Sequence, residues 1–145
     1  MIIRDILTVK GGDDVFSISP DRPVMEAVKR MVLHDVGSLV VKLNSEMVGL
    51  VTERDIMRAM HDRGCDLKDV PVSELMSTEP IIGSPEDTVD YVRGVMTQHR
   101  IKHLPVMEGE NLLGIISFHD VARACLHEAS FENQLLKRYI KHWPE

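Results

Sequence analysis

A mixed α/β fold is what this 145-residue sequence predicts: two β-α-β-β-α repeats packed as one pseudo-two-fold module, with an N-terminal lead-in and a C-terminal helix. Three observations predict it. The stretch GLVTERD, residues 49–55, returns as GIISFHD at 114–120, 65 positions later. The same offset aligns Ser19-Pro20 with Ser84-Pro85, Met31 with Met96, His34 with His99, Leu39 with Leu104 and Arg58-Ala59 with Arg123-Ala124. No gap is needed between 18–60 and 83–125, and about a quarter of the pairs are identical, far above chance for unrelated segments. Third, the apolar period changes from helical to strand-like in the same order in both copies.

Each copy opens on a short β-rich run, VFSI or PIIG, followed by a Ser-Pro-acid turn that suits a helix start. A helix follows, its inner face marked by Val24, Ala27, Val28, Met31 and Val32, or by Val89, Val92 and Met96. Two strands come next, SLVVK then MVGLV and HLPVM then LLGII, joined by the hairpin-length segments LNSE and EGEN. The unit closes on a second helix, from Glu53 to about Arg63 or from Phe118 onward. About sixty residues are few for an independent core, so the copies are expected to pack together. The expected division is 1–65 for the lead-in and first repeat, 66–128 for a linker turn at VSELM and the second repeat, and 129–145 for an amphipathic C-terminal helix.

Composition narrows the function. Hydrophobic residues make up 43% and charged residues 28%, the balance of a folded soluble protein. The net charge of −6 with scattered basic residues speaks against a nucleic-acid surface. No apolar run reaches membrane-spanning length, and MIIRDILTVK is too charged for a signal peptide. Cys65 and Cys125 form no C-x-x-C and read as reduced thiols, so a cytoplasmic location is expected.

The repeated motif carries chemistry suited to a nucleoside phosphate. Thr52 and Ser117 stand where a strand ends and a helix begins, where unpaired first-turn N–H groups and the helix dipole favour an anion. Asp55 and Asp120 would repel a phosphate but can accept both hydroxyls of a ribose diol. Gly49 and Gly114 permit close approach of a neighbour. The second copy carries cations for phosphate in RIKHLPV, namely Arg100, Lys102 and His103, where the first has Asp35, Gly37 and Ser38. The competing reading of Thr-x-x-Asp and Ser-x-x-Asp is a helix capping box, and both can hold at once. Neither a nucleophile with an activating base nor a metal set is expected: His99 and His103 are four apart, but the helix ends between them.

Two β-α-β-β-α units, each closing on Gly-aliphatic-aliphatic-Thr/Ser-x-x-Asp, resemble a tandem pair of CBS domains (the cystathionine-β-synthase type, or Bateman module). The resemblance rests on ISPDRPVMEAVKRM, VGSLVV and GLVTERD in the first copy and on GSPEDTVDYV, RIKHLPV and GIISFHD in the second. It is closest to small bacterial or archaeal proteins made of little more than one such pair. It implies binding of adenosine-containing ligands (AMP, ADP, ATP, NAD or S-adenosylmethionine) in clefts between the repeats, with no catalytic role. It also implies composite sites. Asp55 is then joined by the segment around Ile82 and the KHLP strand, and Asp120 by the segment around Ile18 with Gly37 and Ser38 leaving room for a flat base. Arg54 and His119 are secondary candidates. A homodimer is implied, with signalling by conformational change to an unidentified protein partner.

Phe131, Leu135, Leu136, Tyr139, Ile140 and Trp143 form a helical stripe in the tail, suited to cover the chain's own core or to meet a second subunit. Two other classes remain open: a structural or interaction module whose motifs serve only as caps, and an enzyme acting on a nucleotide, which lacks any acid/base pair.

Overall fold

The computed structural model describes residues 1–10 and 15–139 of the chain. Its elements follow the 65-residue offset closely. Helices α2 (Val24–His34) and α4 (Val89–His99) are counterparts, as are strands β2 (Ser38–Leu43) and β4 (His103–Glu108), and β3 (Glu46–Thr52) and β5 (Asn111–Ser117). Helix α3 (Glu53–Arg63) corresponds to the first half of α5 (Phe118–Tyr139), which continues into the tail without a break. Helix α1 (Ile3–Lys10) and strand β1 (Ser17–Ile18) complete the set, with a single 3-10 turn at Val72–Glu74 in the linker. The fold is mixed α/β.

Even the irregularities repeat. Both antiparallel pairs shift register at the same place, between Val41 and Lys42 and between Val106 and Met107. Both first helices end on a left-handed residue, Asp35 (φ 52) and Arg100 (φ 54), whose N–H groups return to the last turn at Met31 and Val32 or Met96 and Thr97. Val36 and Ile101 then donate to the carbonyls of Met31 and Met96, the double closure that ends a helix sharply.

The chain divides into two compact units, Asp13–Ile82 on one hand and Gly83–Glu145 with Met1–Gly12 on the other. The lead-in therefore goes with the second repeat, although it precedes the first in the chain. Hydrogen bonding gives the reason. Across the start of α2 the linker donates from Val72 N–H to Arg22 O (2.9 Å) and Ser73 N–H to Pro20 O (2.9 Å), and accepts from Val24 N–H at Val70 O (2.8 Å). Across the start of α4 the lead-in makes the same three bonds, Ile3 to Asp87 (2.9 Å), Arg4 to Pro85 (2.9 Å) and Val89 to Met1 (3.1 Å). Each first helix needs a crossing segment that pairs its orphan amide and buries one apolar side chain, and Val72 and Ile3 are both fully buried.

Each unit has its own core. Ile18, Val24, Ala27, Leu39, Val41 and Val51 anchor the first, and Ile3, Val89, Val92, Met96, Leu104, Val106 and Ile116 the second.

One expected strand is missing from the second copy. PIIG pairs with β4 only through a parallel bridge of Gly83 to Val106, whereas Ser17 and Ile18 pair with Val40 and Val41 as a strand. The cause is Pro105, the counterpart of Val40. Val40 N–H donates to Phe16 O at 3.0 Å, and proline has no N–H to do the same.

Of the tail stripe, Phe131, Leu135 and Leu136 are exposed in the single chain, so they do not cover its own core. Ile140, Trp143 and the side chain of Tyr139 lie outside the described residues.

Candidate functional site

The two motif copies sit where β3 runs into α3 and β5 into α5. Thr52 N-caps α3: its Oγ1 accepts the Asp55 N–H at 3.2 Å, while Asp55 Oδ2 accepts the Thr52 N–H at 2.9 Å and the Thr52 hydroxyl at 3.0 Å. At the second copy Ser117 Oγ accepts the Asp120 N–H at 3.1 Å, and Asp120 Oδ2 accepts the Ser117 N–H at 2.9 Å. Both copies are complete capping boxes.

The first amide of each helix is engaged too. Glu53 N–H donates to Gly37 O at 2.9 Å and Phe118 N–H to Lys102 O at 2.8 Å. The expectation of unpaired first-turn amides is thus corrected: the approach to β2 or β4 crosses the helix start and takes one, and the cap takes another. A phosphate at either end has to rely more on side chains than on a bare helix terminus.

Strand register brings the remaining candidates together within each unit. Ser38 lies opposite Thr52 and His103 opposite Ser117. The first unit thereby gathers Gly37, Ser38, Thr52 and Asp55, with Arg54 exposed on the first turn of α3; the second gathers Lys102, His103, Ser117 and Asp120. Arg100 is the exposed end cap of α4. Ile82 is exposed, but the Ile18 side chain is only 2% exposed in the first core, so Ile18 can offer a ligand nothing beyond its backbone.

Lys10, which the sequence reading did not single out, completes the second end. Its ammonium donates to Asp120 Oδ2 at 2.9 Å and to the Ile115 carbonyl at 2.9 Å. In the first unit the matching carbonyl, Leu50 O, is taken by Ser77 N–H at 2.8 Å, a neutral backbone donor. Burial works to raise the Asp120 pKa, but the Lys10 ammonium and the Ser117 groups outweigh it and hold the carboxyl below its ordinary value. The available sequence signal was the likeness of DIL at 5–7 to ELM at 74–76, which marks the lead-in as the linker's counterpart.

Charge separates the two ends. At the 65-residue offset Asp35, Glu53 and Gly37 of the first copy are replaced by Arg100, Phe118 and Lys102 in the second, and Lys10 adds its ammonium at Asp120. An open groove of about 370 Å³ beside α2 and the start of α3 is lined by apolar side chains with Asp35 and Glu53, and without a cation it does not suit a phosphate. Among the described residues no group of three or more His, Cys, Asp or Glu side chains could hold a metal ion. No helix among them is long and apolar enough to cross a membrane.

Family comparison matches the two repeats, each taken with the segment that precedes it in the chain. The CBS domain family matches residues 3–62 and 72–127, nearly the whole of both repeats. The chain belongs to the CBS-domain family. It is a CBS-domain pair, a regulatory module. It is 36% identical to the CBS domain-containing protein CBSX3, mitochondrial, of Arabidopsis thaliana over 96% of this chain and 71% of that one. A CBS-domain containing protein from Agrobacterium tumefaciens superposes with a TM-score of 0.81 at 33% identity, covering 86% of this chain and 98% of that one. The CBS domain pair of protein MJ0100, solved in complex with 5′-methylthioadenosine and S-adenosyl-L-methionine, shares the fold with a TM-score of 0.75 at 23% identity over 88% of this chain and 98% of that one.

Proposed function

We propose that this CBS pair is a non-enzymatic sensor of adenosine-containing ligands, with AMP, ADP, ATP and NAD as the candidates, working in the cytoplasm. The observation that carries the reading is the placement of Asp55 and Asp120. Each carboxylate is partly buried and fixed through Oδ2 by its cap, which orients it before any ligand arrives. A carboxylate held in this way can accept a ribose diol without the entropic cost of ordering a free side chain. Thr52 and Ser117, with Gly37, Ser38 and Arg54 or Arg100, Lys102 and His103, supply the polar and cationic surroundings. The adenosine compounds named with MJ0100 belong to the same ligand class.

Titration calorimetry with AMP, ATP and NAD tests this. Binding is expected, with at least tenfold loss of affinity in either Asp55→Ala or Asp120→Ala, about the worth of a charge-assisted hydrogen-bond pair. Retained affinity in both variants contradicts the assignment.

Signalling through a homodimer is part of the proposal. Val32 and Leu33 of α2, Met57 of α3 and Phe131 of α5 are more than half exposed in the single chain and offer apolar surface for such a contact. Light scattering of the purified protein is expected to give twice the chain mass, and a ligand shifts its state only if it binds two conformations unequally.

The complete capping boxes favour a second reading, an interaction module whose motifs only start helices. It predicts no heat with any nucleotide, and a cost of about 1 kcal/mol in stability as the sole effect of removing either cap.

A further inference from the structure

We propose that Lys10 makes the second repeat's motif selective for nucleoside phosphates over nucleosides; this deepens the adenosine-ligand reading and rests on it. Lys10 is the last residue of α1, a helix that lies outside both copies of the repeat in sequence but within the second unit in structure. Its ammonium bonds Asp120 Oδ2 and the Ile115 carbonyl, and the carboxylate beneath it is only 16% exposed against 41% for Lys10. The Ser117 N–H falls on the same oxygen. A ribose diol arriving at Asp120 therefore meets an acceptor already shared with a cation.

The consequence depends on the ligand's own charge. A neutral nucleoside that displaces the ammonium strips a cation of its counter-charge, and one that leaves it in place finds a weakened acceptor. A nucleotide avoids both penalties, because its phosphate takes over the ammonium while its diol takes the carboxylate. The flexible four-carbon stem of lysine permits that exchange. Nothing comparable operates at Asp55, whose bonds among the described residues come from Thr52, with neutral Ser77 N–H on the matching carbonyl. Arg100 and Lys102 on the same unit add to the preference for an anion.

The test is the ratio of AMP to adenosine affinity in the full-length protein, with Lys10→Met, Lys10→Gln and Lys10→Arg. Removing the charge is expected to cut the ratio about tenfold, by weakening AMP and strengthening adenosine, the size of one charge-assisted contact. Lys10→Arg is expected to keep it. Lys10 is a partly exposed side chain at a helix end, so its variants should fold, and Lys10→Gln serves if Lys10→Met does not. An unchanged ratio in both neutral variants, with both ligands still bound, overturns the role of Lys10 and leaves the sensor reading intact. No binding of either ligand by the unaltered protein overturns both.

Discussion

Leu39 and Leu104, 65 positions apart, are sealed in their cores at 0% and 1% exposure, yet Leu50 and Ile115, separated by the same offset, have carbonyls with different partners. The first meets the Ser77 backbone and the second the Lys10 ammonium. Duplication has kept the interior, where close packing penalises change. The edges have diverged, because each repeat is crossed by a different segment of chain: the linker for the first, the lead-in for the second. One edge is closed by backbone and neutral, the other by a helix that brings a cation onto the motif carboxylate. The difference between the two ends thus comes in part from the repeats themselves, the second having Arg100 and Lys102 where the first has Asp35 and Gly37, and in part from what packs against them.

The strongest way to break this comparison is through the cores. Leu39→Ala and Leu104→Ala are each expected to cost about 3 kcal/mol, within the usual range for a buried leucine, and to do so equally. Denaturant unfolding monitored by circular dichroism reads this, and a gap beyond about 1 kcal/mol would mean the cores are not equivalent.

Next come the two glycines before the motifs. A Cβ on Gly49 would lie 2.8 Å from the Ser77 carbonyl oxygen, backbone that cannot step aside, and 2.8 Å from Met76 Sδ. On Gly114 it would meet Leu7 Cδ2 at 2.9 Å, the tip of a flexible side chain. Gly49→Ala is expected to cost about 2 kcal/mol and Gly114→Ala under about 1 kcal/mol, measured in the same way. The reverse order would show that the linker, not the lead-in, is the adaptable edge.

Caps should give about 1 kcal/mol each, Thr52→Ala and Ser117→Ala alike, since both hydroxyls accept the same third amide of their helices.

The smallest effect concerns acid. Because the folded state holds the Asp120 pKa below its ordinary value, near pH 4, this carboxylate adds stability above that pH and loses it as pH falls through the lowered value. Lys10→Met should move the Asp120 carboxyl titration, followed by carbon-13 NMR, upward and shrink that acid-labile stability. An unmoved titration would mean that the ion pair does not form in solution.

Much of this was legible in the sequence. Repeat period, helix α3 with its cap, the linker turn at Val72–Glu74 and the paired hairpins follow from local spacing, and local spacing is visible along a chain. What depended on distant partners was not. Pro105 could be read as a proline in a strand, but its effect on the run before Gly83 required knowing that Val40 accepts a third strand at that rung. Lys10 and Asp120 are brought together only because the lead-in crosses the second repeat. The side chain of Ile18, a residue the resemblance offered as a ligand contact, lies in the first core, since the β-rich run also needs an anchor there.

Thermal unfolding of the purified protein against AMP, ADP, ATP, NAD and S-adenosylmethionine, beside Asp55→Ala and Asp120→Ala, tests the central claim most directly. Ligand at a hundred times its dissociation constant adds about 2.7 kcal/mol, a shift of several degrees for a protein of this size. The account predicts such a shift with a phosphate-bearing adenosine ligand, reduced or abolished by Asp120→Ala. Flat traces with every ligand, or shifts that survive both substitutions, would contradict it.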